Sequence, residues 1–228
     1  MVTRTIQFSL DEHYHVFNRG NSKQKIFLLP ADYQRFCSLL YLANTTDKFN
    51  IRDTLKNTEN IFSIKRSDTL VDIHAVCLMP NHYHLILTPK TEAGLSTFML
   101  KLGTGYSMYF NTRHERTGSL FEGRFKAKHI DNDNYLKYLF SYIHLNPLSL
   151  QKKGVFSLSE KFLYLNSYEY SSLNTYTKLS SPRAALGLRE SVTTDMFKQY
   201  FENIHEVKRE LFDWITLDDE ISPALGQP

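Results

Sequence analysis

Met79-Pro80-Asn81-His82-Tyr83-His84-Leu85-Ile86-Leu87 reads as a turn entering a strand, and the fold can be worked outward from it. Alternate side chains of a strand share a face, so His82 and His84 point the same way with Ile86, while Tyr83, Leu85 and Leu87 point the other. Two neutral imidazoles so placed form half of a site for a divalent first-row metal, with a carboxamide or carboxylate from elsewhere completing the shell. The competing reading is a pair of exposed histidines at a strand start. Val71 to Leu78 is a second, buried strand, and only Met79-Pro80-Asn81 separates the two. So short a connection implies an antiparallel hairpin with the histidines near its turn.

Outward from the hairpin, Glu12 to Phe17 reads as a first strand stopped by Asn18-Arg19-Gly20-Asn21, a turn cluster with a glycine for positive φ. That strand carries a rival H-x-H pair, His13 and His15. Pro30 opens a helix to about Ala43, with Tyr33, Phe36, Leu39, Leu40 and Ala43 at helical spacing. Residues 45–70 are polar and weakly periodic, as expected of a surface insertion. Gly94 to about Asn111 predicts a second sheet-covering helix, and Phe125 to Ile130 a fourth strand. A helix from Asn134 to about Leu145 follows, capped by Asp131 or Asp133, with Leu136, Leu139, Phe140 and Ile143 on one stripe at about 100° per residue. Tyr135, Tyr142 and Asn146 flank the stripe, and Pro147 biases Asn146 away from helical geometry. The order β-α-β-β-α-β predicts an α+β, ferredoxin-like split βαβ fold. It comprises a four-stranded antiparallel sheet, covering helices and the added helix bearing Tyr142, with the hairpin running through the sheet interior.

The 228 residues, 42% hydrophobic and 22% charged, are ordinary for a globular protein, and the two cysteines exclude a disulfide framework. With no apolar segment long enough to span a bilayer and no signal-like start, a cytoplasmic protein is expected. A formal charge of +3 is too small to indicate nucleic acid by itself, so the distribution matters. From Lys101 to Ile130 the basic side chains Lys101, Arg113, Arg116, Arg124, Lys126 and Lys128 outnumber the acids Glu115 and Glu122, and Phe121 and Phe125 are interleaved. That composition suits a nucleic-acid groove; a solvated loop is the alternative. Beyond Lys153 the signals fade, apart from an amphipathic helix at about 194–214.

A metal held by His82 and His84 would polarise a phosphoryl oxygen that a tyrosine attacks. The strings His74-Ala75-Val76-Cys77-Leu78-Met79-Pro80-Asn81-His82-Tyr83-His84-Leu85 and Tyr14-His15-Val16-Phe17-Asn18-Arg19-Gly20-Asn21 make the chain resemble the single-tyrosine HUH (IS200-like) transposases, closest to their REP-associated tyrosine transposase branch. The likeness continues through Gly118-Ser119-Leu120-Phe121-Glu122-Gly123-Arg124-Phe125-Lys126 and Tyr142-Ile143-His144-Leu145-Asn146-Pro147, and ends weakly in Tyr168-Glu169-Tyr170-Ser171-Ser172. It implies that His82 and His84 are the metal pair, Asn146 the third ligand and Tyr142 the nucleophile, with Mg²⁺ or Mn²⁺ as metal. It also implies cleavage of single-stranded DNA beside hairpins, palindromic repeats among them, through a 5′-phosphotyrosine that leaves a free 3′-hydroxyl for rejoining. Arg19, Asn21 and Arg124 lie in matching strings and, with Arg113, Arg116, Lys126 and Lys128, are expected to contact DNA. His13 and His15 take a structural or DNA-facing role, since the family has no metal ligands in the first strand. The resemblance places a catalytic domain at 1–153, with an insertion at about 45–70 longer than is usual in the family, and an extension at 154–228. It implies a monomer or homodimer, cytoplasmic and nucleoid-associated. Two other readings stay open: a hairpin-binding protein of the same fold without chemistry, and a metal hydrolase using bound water.

Overall fold

The computed structural model describes residues 7–47, 54 and 64–150. Most of the 45–70 insertion, the 154–228 extension with its 194–214 helix, and the string at 168–172 lie outside the described residues.

The chain runs β1 (His13–Arg19), α1 (Pro30–Leu42), β2 (Val71–Met79), β3 (His82–Pro89), α2 (Gly94–Arg113), β4 (Lys126–Ile130) and α3 (Asp133–Leu145). One four-stranded sheet has the order β2-β3-β1-β4 with every pairing antiparallel, which is the expected α+β, ferredoxin-like arrangement. The hairpin forms as its brevity required, with Met79 opposite His82 and only Pro80 and Asn81 between the strands. One expectation is corrected: β3 is interior, but β2 is an edge strand. It lacks the alternation of an edge strand because both its faces are covered; every residue from Val71 to Met79, Asp72 and His74 included, is buried.

The side-chain alternation splits the core into two layers. Tyr14, Val16, Tyr83, Leu85 and Leu87 face α1 and α2, where Phe36, Leu39, Phe98, Leu102 and Tyr106 are buried. Each such side chain is worth about 1.5–3 kcal/mol of transfer free energy. Ala75, Cys77, Met79, Ile86 and Ile130 face the opposite way, and the stripe of α3 covers them with Tyr135, Leu139, Phe140 and Ile143. The sheet face that carries His82 and His84 is therefore the one that carries α3.

Several local devices differ from expectation. β1 continues through Asn18 and Arg19 because β3 extends far enough to pair with them, Tyr83 and His82 standing opposite. Gly20 has an extended φ of −62°, so positive φ is not what requires glycine there. A Cβ would collide with the carbonyl oxygen of Gln24, so the requirement is close backbone approach. The N-cap of α3 is Asn132, whose side chain accepts from the Tyr135 N–H at 2.8 Å; Asp133 is the first helical residue instead. Asn146 keeps helical angles (φ −50°, ψ −41°) despite Pro147, and the chain runs on into a 3₁₀ turn at Asn146–Leu150. The steric bias before proline is outweighed there by the Asn146 N–H bond to the Tyr142 carbonyl.

Asn44, fully buried just after α1, ties that helix to the start of β2. Its Oδ1 accepts from the Leu70 and Val71 N–H groups at 2.9 and 3.0 Å, and its Nδ2 donates to the Val71 carbonyl at 2.9 Å. Asn44→Ala strands these backbone groups in an apolar surround and is expected to destabilise the fold by about 2–4 kcal/mol. Urea unfolding should show this as a lowered midpoint with an unchanged slope.

Candidate functional site

The site is assembled where the first residues of β3, the middle of β1 and the last turn of α3 meet. His84 is only 1% exposed. Its Nδ1 lies 2.9 Å from Nε2 of the equally buried His15, and the two rings are nearly parallel, 18° apart with centroids at 5.2 Å. The His84 Nε2 is buried and has no hydrogen-bond partner among the described residues. A polar atom in that state is costly unless something outside the described atoms binds it. His82, half-buried, stands edge-on to His84 with ring centroids 5.0 Å apart. Its Nδ1 lies 2.7 Å from Oδ1 of Asn81, which can only accept, so a proton on Nδ1 would satisfy that contact and leave the lone pair on Nε2. The Asn146 side chain also hydrogen-bonds His82.

Tyr142 approaches from α3, its ring 5.6 Å from that of His84 at 85°. Tyr135 and Tyr138 stack on each other at 6.2 Å, and Tyr135 lies 5.0 Å beneath the Lys128 ammonium. His144, within the same sequence string, turns inward and donates from Nδ1 to the Phe140 carbonyl at 2.7 Å, which makes it a packing residue.

The electrostatics keep these imidazoles neutral. Burial, joined by the nearby Lys128 charge, pushes His15 down to about 3. Burial pushes His82 to about 4, with the Asn146 bond opposing and the Arg19 charge reinforcing the shift. His84 is held well below the ordinary histidine value by burial, then by His82 and His15. All three present lone pairs at neutral pH, as metal ligands must. Two imidazoles with a carboxamide beside them, one imidazole nitrogen being buried and orphaned, fit a divalent cation. Among the described residues no group of three or more His, Cys, Asp or Glu side chains is placed to hold a metal ion, so an all-carboxylate or cysteine site is not formed there.

The seven basic or polar side chains expected at DNA divide between the two layers. Lys126 and Lys128 are exposed on the face of β4 shared with Ile130, the α3 side, and Arg124 is exposed just before them. Arg19 stands opposite His82 in the β1–β3 ladder and forms a bidentate pair with Glu122 at 2.8 and 3.1 Å. Asn21 is exposed in the 3₁₀ turn after β1, its N–H bonded to the Leu120 carbonyl. Arg113 and Arg116 sit at the end of α2 in the other layer. Arg113 pairs with the buried Asp32 at 3.8 Å, and Arg116 lies over Phe110. The structure does not bring these two to the histidine pair.

Phe17 and Glu122 are side chains at the site that sequence reading did not assign to it, and His15, expected in a structural or DNA-facing role, lies against His84. Phe17, half-buried, lies 4.8 Å from His15 and 6.0 Å from His84 by ring centroids. The signal for His15 and Phe17 was strand period, since His15, Phe17 and Arg19 share one face of β1. Using it required knowing that β1 neighbours β3.

A family model described as "Transposase IS200 like" matches residues 11–146, from just before β1 to Asn146. No curated protein matches the chain. Among solved structures, a REP-associated tyrosine transposase bound to a REP hairpin is similar at 14% identity, over 85% of this chain and 94% of that one, with a TM-score of 0.49. Among the described residues no helix is long and apolar enough to cross a membrane.

Proposed function

The chain belongs to the IS200-like transposase family, and from that premise we propose that it cleaves and rejoins hairpin-bearing single-stranded DNA, with Tyr142 as nucleophile and His82, His84 and Asn146 as ligands of Mg²⁺ or Mn²⁺. The observation that carries this reading is the Tyr142 ring standing 5.6 Å from His84, whose Nε2 is buried without a partner among the described residues. When bound, the divalent ion supplies Lewis-acid polarisation of a phosphoryl oxygen. Tyr142 Oη gives up its proton and attacks the phosphorus, the P–O3′ bond breaks, and the departing 3′ oxygen takes up a proton, so no net proton is consumed. The phosphate stays on Tyr142 as a 5′-phosphotyrosine, so the ester bond is exchanged and a 3′-hydroxyl can reverse the step without ATP. His82 and His84, held neutral by burial, keep their lone pairs for the ion.

Lys126, Lys128 and Arg124 supply phosphate contacts on the α3 side of the sheet, and Asn21 adds a polar contact at the end of β1. Arg19 does so by exchanging its Glu122 carboxylate for a phosphate, an exchange favoured by the weak net worth of a partly exposed ion pair. Arg113 and Arg116 belong in this reading to a secondary contact for longer DNA. The catalytic domain is taken as 1–153 and 154–228 as an extension, in a cytoplasmic, nucleoid-associated monomer or homodimer.

The test incubates the purified full chain with Mn²⁺ and labelled single-stranded oligonucleotides carrying hairpins from the flanks of its own gene. A denaturing gel should show a covalent protein–DNA adduct that EDTA suppresses. Tight hairpin binding with no adduct would instead establish the binding protein without chemistry.

A further inference from the structure

We infer that His15 is a positioning residue for the metal site, the hydrogen-bond acceptor that holds the His84 proton on Nδ1 and so aims the His84 Nε2 lone pair at the ion. This rests on the metal reading given above but concerns a residue of β1 that supplies no ligand.

A neutral imidazole has one N–H and one acceptor nitrogen. His84 Nδ1 is 2.9 Å from His15 Nε2, so one of the two donates to the other. If His15 donated, the His84 proton would sit on Nε2, the buried orphan atom that faces away from His15, and that nitrogen would have no lone pair to offer. Only the opposite arrangement leaves a ligand: His84 Nδ1–H donates, His15 Nε2 accepts, and the His15 proton is on its own Nδ1. His82 shows the same logic in a different partner, since its Nδ1 is held by the Asn81 carboxamide oxygen at 2.7 Å. Each imidazole of the pair thus has Nδ1 committed to an acceptor, one from the hairpin turn and one from β1. Such outer partners fix ring orientation and tautomer in metal sites.

The placement is built by the sheet. β1 and β3 are adjacent, with His15 opposite Ile86 and Phe17 opposite His84, so His15 reaches His84 diagonally across the ladder. Burial of both rings, with Phe17 beside them, leaves His15 little freedom to turn away.

The experiment measures Mn²⁺ uptake by electron paramagnetic resonance for the wild-type full chain, His15→Leu and His15→Gln, with thermal unfolding run on each. Gln extends an acceptor about as far from the backbone as the histidine Nε2, whereas Leu offers none. Wild type should bind Mn²⁺, His15→Leu should bind about 10- to 100-fold more weakly, and His15→Gln should stay within a few-fold of wild type. Should His15→Leu fail to fold, the glutamine variant and the tautomer decide. Long-range ¹H–¹⁵N spectra of the Mg²⁺-loaded wild type should find both His15 and His84 protonated at Nδ1. Unchanged affinity in folded His15→Leu, equal loss in folded His15→Gln, or a proton on His84 Nε2 would each overturn the role. Failure of the wild type itself to take up Mn²⁺ would refute the underlying metal reading, and this role with it.

Discussion

Tyr142→Phe is expected to reduce the covalent DNA adduct to nothing detectable while hairpin binding and folding persist. The substitution removes one hydroxyl and leaves the ring that packs beside the second core layer and stands edge-on to His84. Tyr142 is half-buried, so the lost hydroxyl costs the fold no more than about 1 kcal/mol. The side chains proposed to hold DNA phosphates beside the histidine pair lie on β1, on β4 and in the turns beside them, not on α3. The two other tyrosines of α3 are engaged elsewhere. Tyr138 is engaged in a stack with Tyr135, and Tyr135 is packed beneath Lys128. A denaturing gel reads the adduct and a mobility shift reads binding. An adduct that survives in Tyr142→Phe, mapped by mass spectrometry to another tyrosine, would move the nucleophile and refute the assignment.

His84→Ala should have the second large effect, on stability and on metal together. It empties a nearly fully buried site and abandons ring contacts with His15, Phe17, His82 and Tyr142. It also strands Nε2 of the buried His15, which has His84 as its hydrogen-bond partner. Cavity and stranded polar atom together are worth about 2–5 kcal/mol. The metal effect is separated from the stability effect by unfolding each protein in urea with and without Mn²⁺. Binding stabilises the folded state by about 2.7 kcal/mol at a hundredfold excess over Kd. Wild type should show that increment and His84→Ala none. An equal increment in both would remove His84 from the ligand set.

The parts of the molecule legible in its sequence are those governed by short periods. The hairpin followed from a three-residue break between apolar runs, and the shared face of His82 and His84 from the pleat. The stripe of α3 followed from helical spacing. Strand order is not a local property, and the residues missed depend on it. His13-Tyr14-His15 and His82-Tyr83-His84 are indistinguishable as H-x-H pairs until β1 is known to lie beside β3, when His15 becomes the neighbour of His84. Arg19 looks like a free basic tip in the sequence because Glu122 is 103 residues away. Arg113 and Arg124 are close along the chain yet lie in different layers, because between them the chain leaves α2 and crosses to the start of β4. Asn44 sits in a polar stretch where nothing marks one amide as a structural clamp. Convergence of Tyr142 on the histidine pair rested in the sequence on family resemblance; the fold supplies a physical route to it, since α3 covers the face those histidines occupy.

β1 and β3 are the two central strands, hydrogen-bonded along both edges, and they carry His15, His82 and His84 between them. Native proteins open last where backbone bonds are shielded on all sides, so the amides around these histidines should be among the slowest to exchange with solvent. Tyr142 and Asn146 ride instead on the final turn of a helix. One half of the proposed site is thus anchored in the least yielding part of the sheet, and whatever give a DNA strand would need there falls to the half carried by α3.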